Sequence, residues 1–445
     1  MKKTMKTKHF IIAFFTLVLA VINANANNML VQNVTTLNDN PTAKTVQVQF
    51  DLSWDNSWRD SINWDAAWIF LKFKDANGLW QHAKLNTNGF QNGSGTANTV
   101  QVTSDKVGAW VYRDTRGSGT FNSTTMQLQW NYGLSGLNKV TGLEVRVFAV
   151  EMVYVPEGGF NCSNSYFQNS SYSEYKFSAP GDNLPVINTR LSPNFKTTDK
   201  DSIRIKGDAG IDRNSDGIVD DQNYPVGYKA FFTYKYEMSE QQYADFLNTL
   251  TQQQINTLGV EGTNIKISNG QYFTSTPNFA CLNTKNETFL AYADWSGLRP
   301  ISFLEYNKLS WGPITPTKLV YDNNISSDFT QSFKFIFNNY NYNVLNQYFQ
   351  RWNKTKIYNV GTIPLISYFG VYDLMDQLFE PIISLSTINF DHTNGNGLLN
   401  NSGSNDVLNW KDLKIIYLNH SLKRDMMSDD YGKVYNGFRY VRSAE

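Results

Sequence analysis

The sequence predicts a β-rich α+β protein in two units: an N-terminal immunoglobulin-like β-sandwich over residues 27–150, then a mixed α/β unit over residues 151–445 with much irregular chain. Three observations carry this. Apolar and polar residues alternate with period two before residue 150. Helical spacing with capping patterns appears only after it. A length of 445 residues exceeds the size at which one core usually keeps growing, so two units are expected.

In the first unit Val46, Val48, Phe50, Leu52 and Trp54 alternate with Gln47, Gln49, Asp51 and Ser53, and Met126, Leu128, Trp130 and Tyr132 repeat the pattern. These are strands buried on one face. Residues 67–73, 100–102, 109–112 and 143–150 are further strands, separated by polar turns such as Asn92-Gly-Ser-Gly95 and Arg116-Gly-Ser-Gly119. Short strands with polar turns and no helical period read as an antiparallel sandwich. Seven of the 11 tryptophans lie here: Trp54, Trp58, Trp64, Trp68, Trp80, Trp110 and Trp130. Aromatics favour strands and pack sheet faces, so a core role is the first reading. A sugar-stacking face is the second, with Trp54, Trp58 and Trp64 as its candidates.

The second unit starts on the strand entering Val153-Tyr-Val-Pro-Glu157. Residues 161–198, rich in Ser, Asn and Tyr, read as irregular surface chain. Ser239 with Gln242 makes a capping box ahead of Tyr243, Phe246, Leu247 and Leu250 at i, i+3, i+4, i+7. Ser302 with Glu305 repeats it before Tyr306, Leu309 and Trp311, and a helix over 287–295 ends at Gly297, a C-cap glycine.

Charged residues make up 18% of the chain and the formal net charge is +0. That excludes the basic footprint of a nucleic-acid binder. Lys2, Lys3, Lys6 and Lys8, an apolar run from Phe10 to Ile22 and Ala24-Asn25-Ala26 have the layout of a secretory signal peptide over residues 1–26. The run is short for a membrane span, and no later segment is apolar enough for one. Export to the periplasm, cell surface or exterior is expected, with the mature chain starting near Asn27. Cys162 and Cys281 are the only cysteines. A disulfide between them and two separate buried thiols are both open, the second favoured because a chain this large needs no staple.

Five segments occur in a fixed order: Val153-Tyr-Val-Pro-Glu-Gly-Gly159, Lys235–Asn248, Gly297-Leu-Arg-Pro-Ile-Ser-Phe-Leu-Glu305, Gly370–Glu380 and Gly437-Phe-Arg-Tyr-Val-Arg442. Together they resemble the formylglycine-generating enzyme family, also called the sulfatase-modifying factor family, over roughly residues 150–445. The resemblance implies a C-type-lectin-like fold for that unit. It also implies an oxidase that binds copper(I) through two cysteines placed shortly before the closing Gly-Phe-Arg. Soft thiolates suit that metal, yet residues 384–436 contain no cysteine. Copper and formylglycine formation are therefore not expected. Related members use histidine-ligated iron, but only His82, His392 and His420 follow the leader, and they read as exposed loop residues rather than ligands beside a carboxylate such as Asp391. Around the family's structural calcium motif only Glu380 matches, with Gln377 in place of asparagine. Glu380 and Arg299 read as internal ion-pair or hydrogen-bonding residues.

Calcium is a candidate cofactor elsewhere. Asp212, Asn214, Asp216, Ile218 and Asp220 fall at positions 1, 3, 5, 7 and 9 of a calcium loop with Gly217 at position 6, and Asn223 stands where a bidentate carboxylate is usual. An Asp/Asn/Gly turn explains the same residues without metal. The expected function is binding, without catalysis, of a protein or glycan ligand. Family members with variable ligand-binding surfaces carry them just upstream of the closing motif, which points here to residues 409–435, with Tyr417, Asn419, His420, Arg424, Asp429 and Tyr431 exposed. The alternatives are a metal-dependent oxidase with a non-standard site and a structural part of a bacterial envelope machine.

Overall fold

The computed structural model describes residues 28–161, 176–178, 186–187, 204–206, 223–260, 264–282, 285–312, 359–361, 366–374, 378, 380–384, 387, 389–418 and 437–445. The N-terminal strands are β1 (Leu30–Asn40), β2 (Thr45–Arg59), β3 (Asp65–Lys74), β4 (Trp80–His82), β5 (Ser94–Gly95), β6 (Asn98–Val102), β7 (Ala109–Arg113), β8 (Gly117–Asn131) and β9 (Glu144–Val155). Short antiparallel ladders then pair β10 (Phe160–Asn161) with β12 (Val186–Ile187) and β11 (Lys176–Ser178) with β13 (Arg204–Lys206). These strand pieces fall partly in the stretch expected to be irregular; they arise from pairing with distant chain, which local composition does not encode. Next come β14 (Phe231–Tyr234), β15 (Ile265–Ser268), β16 (Gln271–Thr274), β17 (Arg299–Pro300), β18 (Glu380–Ile383), β19 (Ile415–Leu418) and β20 (Tyr440–Ser443). Among the described residues four α-helices, α1 (Glu240–Leu247), α2 (Gln252–Leu258), α3 (Asn286–Trp295) and α4 (Phe303–Trp311), are interspersed. The chain is β-rich, and every strand pairing within the named sheets is antiparallel.

The alternating segments do form strands, and they pair side by side in one sheet. A four-stranded sheet in the order β1-β2-β8-β5 carries Val46, Val48, Phe50, Leu52 and Trp54 on β2 and Met126, Leu128 and Trp130 on β8. These pack on Ala67, Ile69, Leu71 and Phe73 of β3. Strand β3 belongs to a second, larger sheet in the order β17-β20-β14-β9-β3-β7-β6, with β4 also pairing β3. Its other face, Ala66, Trp68 and Phe70, enters a different core together with Phe246, Phe289, Tyr292, Trp295, Phe438 and Tyr440. Successive side chains of a strand point to opposite faces, so one ten-residue segment supplies both cores and reads as almost continuously buried. The expected boundary between residues 150 and 151 falls inside β9, whose Val145, Val147 and Ala149 face the first core and whose Val150 and Met152 face the second. Strands from both expected units therefore share one sheet: β9 pairs with β3 along Asp65–Lys74 and with β14 along Phe231–Tyr234.

The helix signals land where the sequence put them. Ser239 caps α1 and Ser302 caps α4, each with the reciprocal bond from Gln242 or Glu305. A third capping box, Thr251 with Gln254, starts α2. Helix α1 stops at Leu247, so Leu250 packs from the connecting turn, where the Thr249 hydroxyl donates to Phe246 O. Helix α3 ends through Gly297 at φ +70, with Gly297 N–H bonded to Asp294 O at 2.9 Å and Leu298 N–H to Ala293 O at 2.8 Å. That pair of bonds is a Schellman ending. A Cβ at Gly297 would meet Val107 Cγ1 at 2.4 Å, so the same glycine lets the helix end close onto the N-terminal strands.

Candidate functional site

Polar contacts tie the helices to the sheet. Trp68 Nε1 donates to Ser296 O at 2.8 Å, Lys72 Nζ to Trp295 O at 2.7 Å and to Gly397 O at 2.5 Å, and Asn63 Nδ2 to Phe369 O at 2.7 Å. Lys235 reaches across from β14 to Glu151 at 2.5 Å and Asp65 at 3.2 Å. All three side chains are buried, and one ammonium faces two carboxyls. Burial, with the Asp65 charge adding to it and Lys235 opposing it, pushes the Glu151 carboxyl up to about 8. Burial alone would lower the Lys235 amine, but the Glu151 carboxylate holds it well above its ordinary value. Asp65 further accepts from Trp54 Nε1, Ser57 Oγ and Trp58 N, so this cluster is a knot between strands.

A cleft of about 320 Å³ opens along the same seam. Its walls come from the β3–β4 hairpin (Lys72, Leu79, Trp80, Gln81), the turn between α1 and α2 with the first turn of α2 (Thr249–Thr251, Gln253, Gln254), Trp295 at the end of α3, and Gly397, Leu398, Leu399 and Asn401. Each wall is held from behind. Asp75 Oδ1 accepts the N–H groups of Asn77 and Leu79 and sets the hairpin turn that presents Trp80. The Arg146 guanidinium lies 4.4 Å from the centroid of the Trp80 ring and is itself paired to Glu144 at 2.8 Å. The Thr251 capping box fixes the start of α2, and Gln254 Nε2 donates to Asn400 O at 3.0 Å, joining two walls. The Asp294 carboxyl accepts from Asn396 N and Asp406 N, both at 2.9 Å, and so anchors both ends of the 396–406 loop. Burial, offset by those two N–H groups, pushes it up to about 6.

Gly397 has φ +88, and a Cβ there would lie 2.1 Å from His82 Nδ1, so the loop reaches the floor only because this residue is glycine. Burial first, and the nearby Lys72 charge second, hold His82 well below the usual histidine range. Lys72, at the cleft floor, is likewise pulled well below its ordinary value by burial, with Asp294 opposing. Its two carbonyl contacts make it a brace. The indole N–H of Trp295 is buried and has no hydrogen-bond partner among the described residues.

The residues expected from sequence fare differently. Tyr417 was expected to be exposed; it lies on β19 opposite Pro381, half-buried, with its hydroxyl donating to Asn286 Oδ1, because the strand pairing turns it toward α3. Asn419, His420, Arg424, Asp429 and Tyr431 lie outside the described residues, as do Asp212, Asn214, Asp216, Ile218 and Asp220 of the calcium loop. Asn223, its last position, is exposed. His82 is buried with Nε2 2.6 Å from Val107 O, and His392 is half-buried beside Ser443. Neither is the exposed loop residue expected: pairing with β3 draws the first inward, and packing of the 391–394 turn against β20 draws in the second.

Glu380 and Arg299 are internal ion-pair residues. Arg439 engages both Glu380 oxygens and also donates to Tyr234 O and Tyr372 O, while Arg299 forks onto Glu305 at 2.6 and 2.8 Å. Among the suggested stacking tryptophans, Trp54 is buried against Phe121 at 3.9 Å, Trp64 is stacked on Tyr154 at 4.1 Å, and Trp58 is half-buried against Gly370. Cys281 is buried, and Cys162 lies outside the described residues. Among the described residues no three His, Cys, Asp or Glu side chains group as metal ligands, and no helix is long and apolar enough to cross a membrane.

Of the cleft residues the sequence marked Leu250, as the end of a helical stripe, and Trp80, among the strand tryptophans, and neither as part of a site. Trp80 follows a turn signal at Asn77-Gly78, but nothing local links it to Gln253 or Asn401, which the shared sheet brings beside it. The chain matches no protein-family model, and no curated protein is significantly similar to it.

Proposed function

We propose that this chain is an exported, non-catalytic binding protein, an immunoglobulin-like sandwich continued into a sulfatase-modifying-factor fold, that recognises a protein or glycan ligand in the cleft where the two parts meet. The observation that carries the reading is the cleft itself. It is walled by two tryptophans, neutral amide, hydroxyl and leucine side chains and one lysine, and its walls are braced by hydrogen bonds behind them. Braced concave surfaces with a few convergent polar groups are the usual form of a ligand site. Supporting the lack of catalysis is the sequence between residues 384 and 436, which offers no thiolate pair for copper(I). Calcium at the 212–223 loop belongs to this proposal on the sequence pattern alone. Bound to the native state only, it would raise the melting temperature of the wild type and not of an Asp212→Ala, Asp216→Ala variant.

The test is retention. The immobilised mature chain should hold an envelope component that Gln253→Trp, which fills the cleft from an exposed position, releases. Retention unchanged by that substitution would move the ligand surface to residues 409–435. Conversion of a sulfatase-type cysteine peptide to formylglycine with copper and oxygen, persisting after replacement of Cys162 and Cys281, would overturn the non-catalytic reading.

A further inference from the structure

Neutral side chains dominate the lining of the seam cleft. Lys72 is the one ionisable side chain lining it among the described residues, and its amine is spent on the carbonyls of Trp295 and Gly397. Two cations flank the rim: Arg146, paired to Glu144 and stacked on Trp80, and Lys74, whose Nζ lies 5.9 Å from the Trp80 ring centroid. Inside the cleft, among the described residues, a charged ligand meets no free counter-charge, so burying one there would cost its hydration.

The uncommitted polar groups are of another kind. The side-chain amides of Gln81, Gln253 and Asn401 make no hydrogen bond among the described residues, and each both donates and accepts. Gln254, by contrast, is used up in its capping box and its bond to Asn400. Between these groups lie apolar surfaces: the half-buried ring of Trp80 and two leucines at the rim, Leu79 at 39% and Leu398 at 36% exposure. Free neutral amides interleaved with an aromatic ring and aliphatic surface match a ligand that carries hydroxyls around flat C–H faces. A volume of about 320 Å³ is of the size that takes one or two such rings.

We propose that the seam cleft is a binding site for a neutral saccharide, with Trp80 as the stacking platform and Gln81, Gln253 and Asn401 as the hydroxyl-reading amides. This rests on the binding reading above. A stacked sugar ring needs no charge, so affinity should be nearly independent of salt between 50 and 500 mM, in contrast to a site that works through ion pairs.

Calorimetric titration of the full mature protein tests it, using neutral gluco-, xylo- and manno-oligosaccharides, an anionic uronate oligomer and an uncharged peptide library as probes. At least one neutral oligosaccharide should bind, and Trp80→Ala should weaken it by roughly tenfold or more, as loss of a central aromatic contact does. Gln253→Arg, at an exposed position that leaves the core untouched, should weaken the same titration without changing the melting temperature. If the uronate or a peptide binds in a Trp80- and Gln253-dependent way while no neutral sugar does, the saccharide assignment fails and the binding cleft stands. If no probe binds and Gln253→Trp leaves envelope retention unchanged, both fail.

Discussion

The two faces of strand β3 look into cores of different construction. On one side Ile69, Leu71 and Phe73 meet β2 and β8 in a core whose fully buried members come from residues 46–132, with Val145, Val147 and Ala149 of β9 packed against it. Antiparallel ladders, bulged near Phe50 and Trp54, tie its backbone, and its side-chain cross-links are mostly neutral, such as Gln127 Nε2 to Gln49 Oε1 and Trp130 Nε1 to Ser135 Oγ. On the other side Trp68 and Phe70 meet side chains drawn from residues 66–441, many of them aromatic. That core encloses ion pairs: Arg439 with Glu380 and Arg299 with Glu305, while Lys235 lies between Glu151 and Asp65 at the margin of the two. A sheet fixes its own geometry through repeated backbone bonds. Irregular chain must be fixed residue by residue, and bidentate guanidinium–carboxylate contacts do so because they are directional. The cleft lies on the second side, where chain segments far apart in sequence are locked rather than laddered.

Breaking one face at a time sharpens the contrast. Trp68→Ala should destabilise by about 4 kcal/mol, the range for a large buried aromatic, and it also orphans Ser296 O. Arg439→Ala should cost about 3–5 kcal/mol, since it leaves the Glu380 carboxylate buried without its partner. Ile69→Ala, on the sandwich side, should cost about 3 kcal/mol by cavity formation alone. Denaturant titration of the three variants reads the series. An Arg439→Ala protein as stable as wild type would show that the second core needs no directional locks.

Acid distinguishes the sides as well. Burial, then the Arg299 charge, depresses the imidazole of His392 from 6.5 to about 4. The native state thus keeps it neutral while the unfolded chain takes a proton below 6.5. Its contribution is complete above 6.5 and is lost as the pH falls toward 4, by at most about 3 kcal/mol. A His392→Gln variant should lose correspondingly less stability between pH 7 and pH 4, measured by urea titration at each pH. Equal slopes for the two proteins would place His392 in solvent. The smallest effect, about 1 kcal/mol, is expected for Ser239→Ala, which removes the side-chain cap of α1 and leaves its backbone contacts in place.

What could be read from sequence follows the same division. The period-two run from Val46 to Trp54 fixed both the strand and its buried face, and Ser239, Ser302 and Gly297 marked helix ends because caps are local. Residues 67–73 were legible as a strand, but not as one serving two cores, since a strand buried on both faces shows no alternation. The division at residue 150 looked natural because the periodicity changes there, although hydrogen bonding runs straight through β9. Arg299 and Glu380 were recognisable as internal ion-pair residues. The partner of Glu380, Arg439, lies 59 residues away, a pairing that no local pattern marks. The cleft was invisible for the same reason: Trp80, Gln253 and Asn401 are ordinary surface residues until the sheet assembles.

Differential scanning calorimetry of the mature wild-type chain tests the shared sheet most directly. With β9 bonded to β3 on one side and β14 on the other, neither part can melt without stripping a face and an edge from its neighbour. A single transition is expected, with calorimetric and van't Hoff enthalpies equal, and both Trp68→Ala and Ile69→Ala should shift it whole. Two resolved transitions, with Ile69→Ala moving only one of them, would contradict the account and return residues 27–150 to an independent domain.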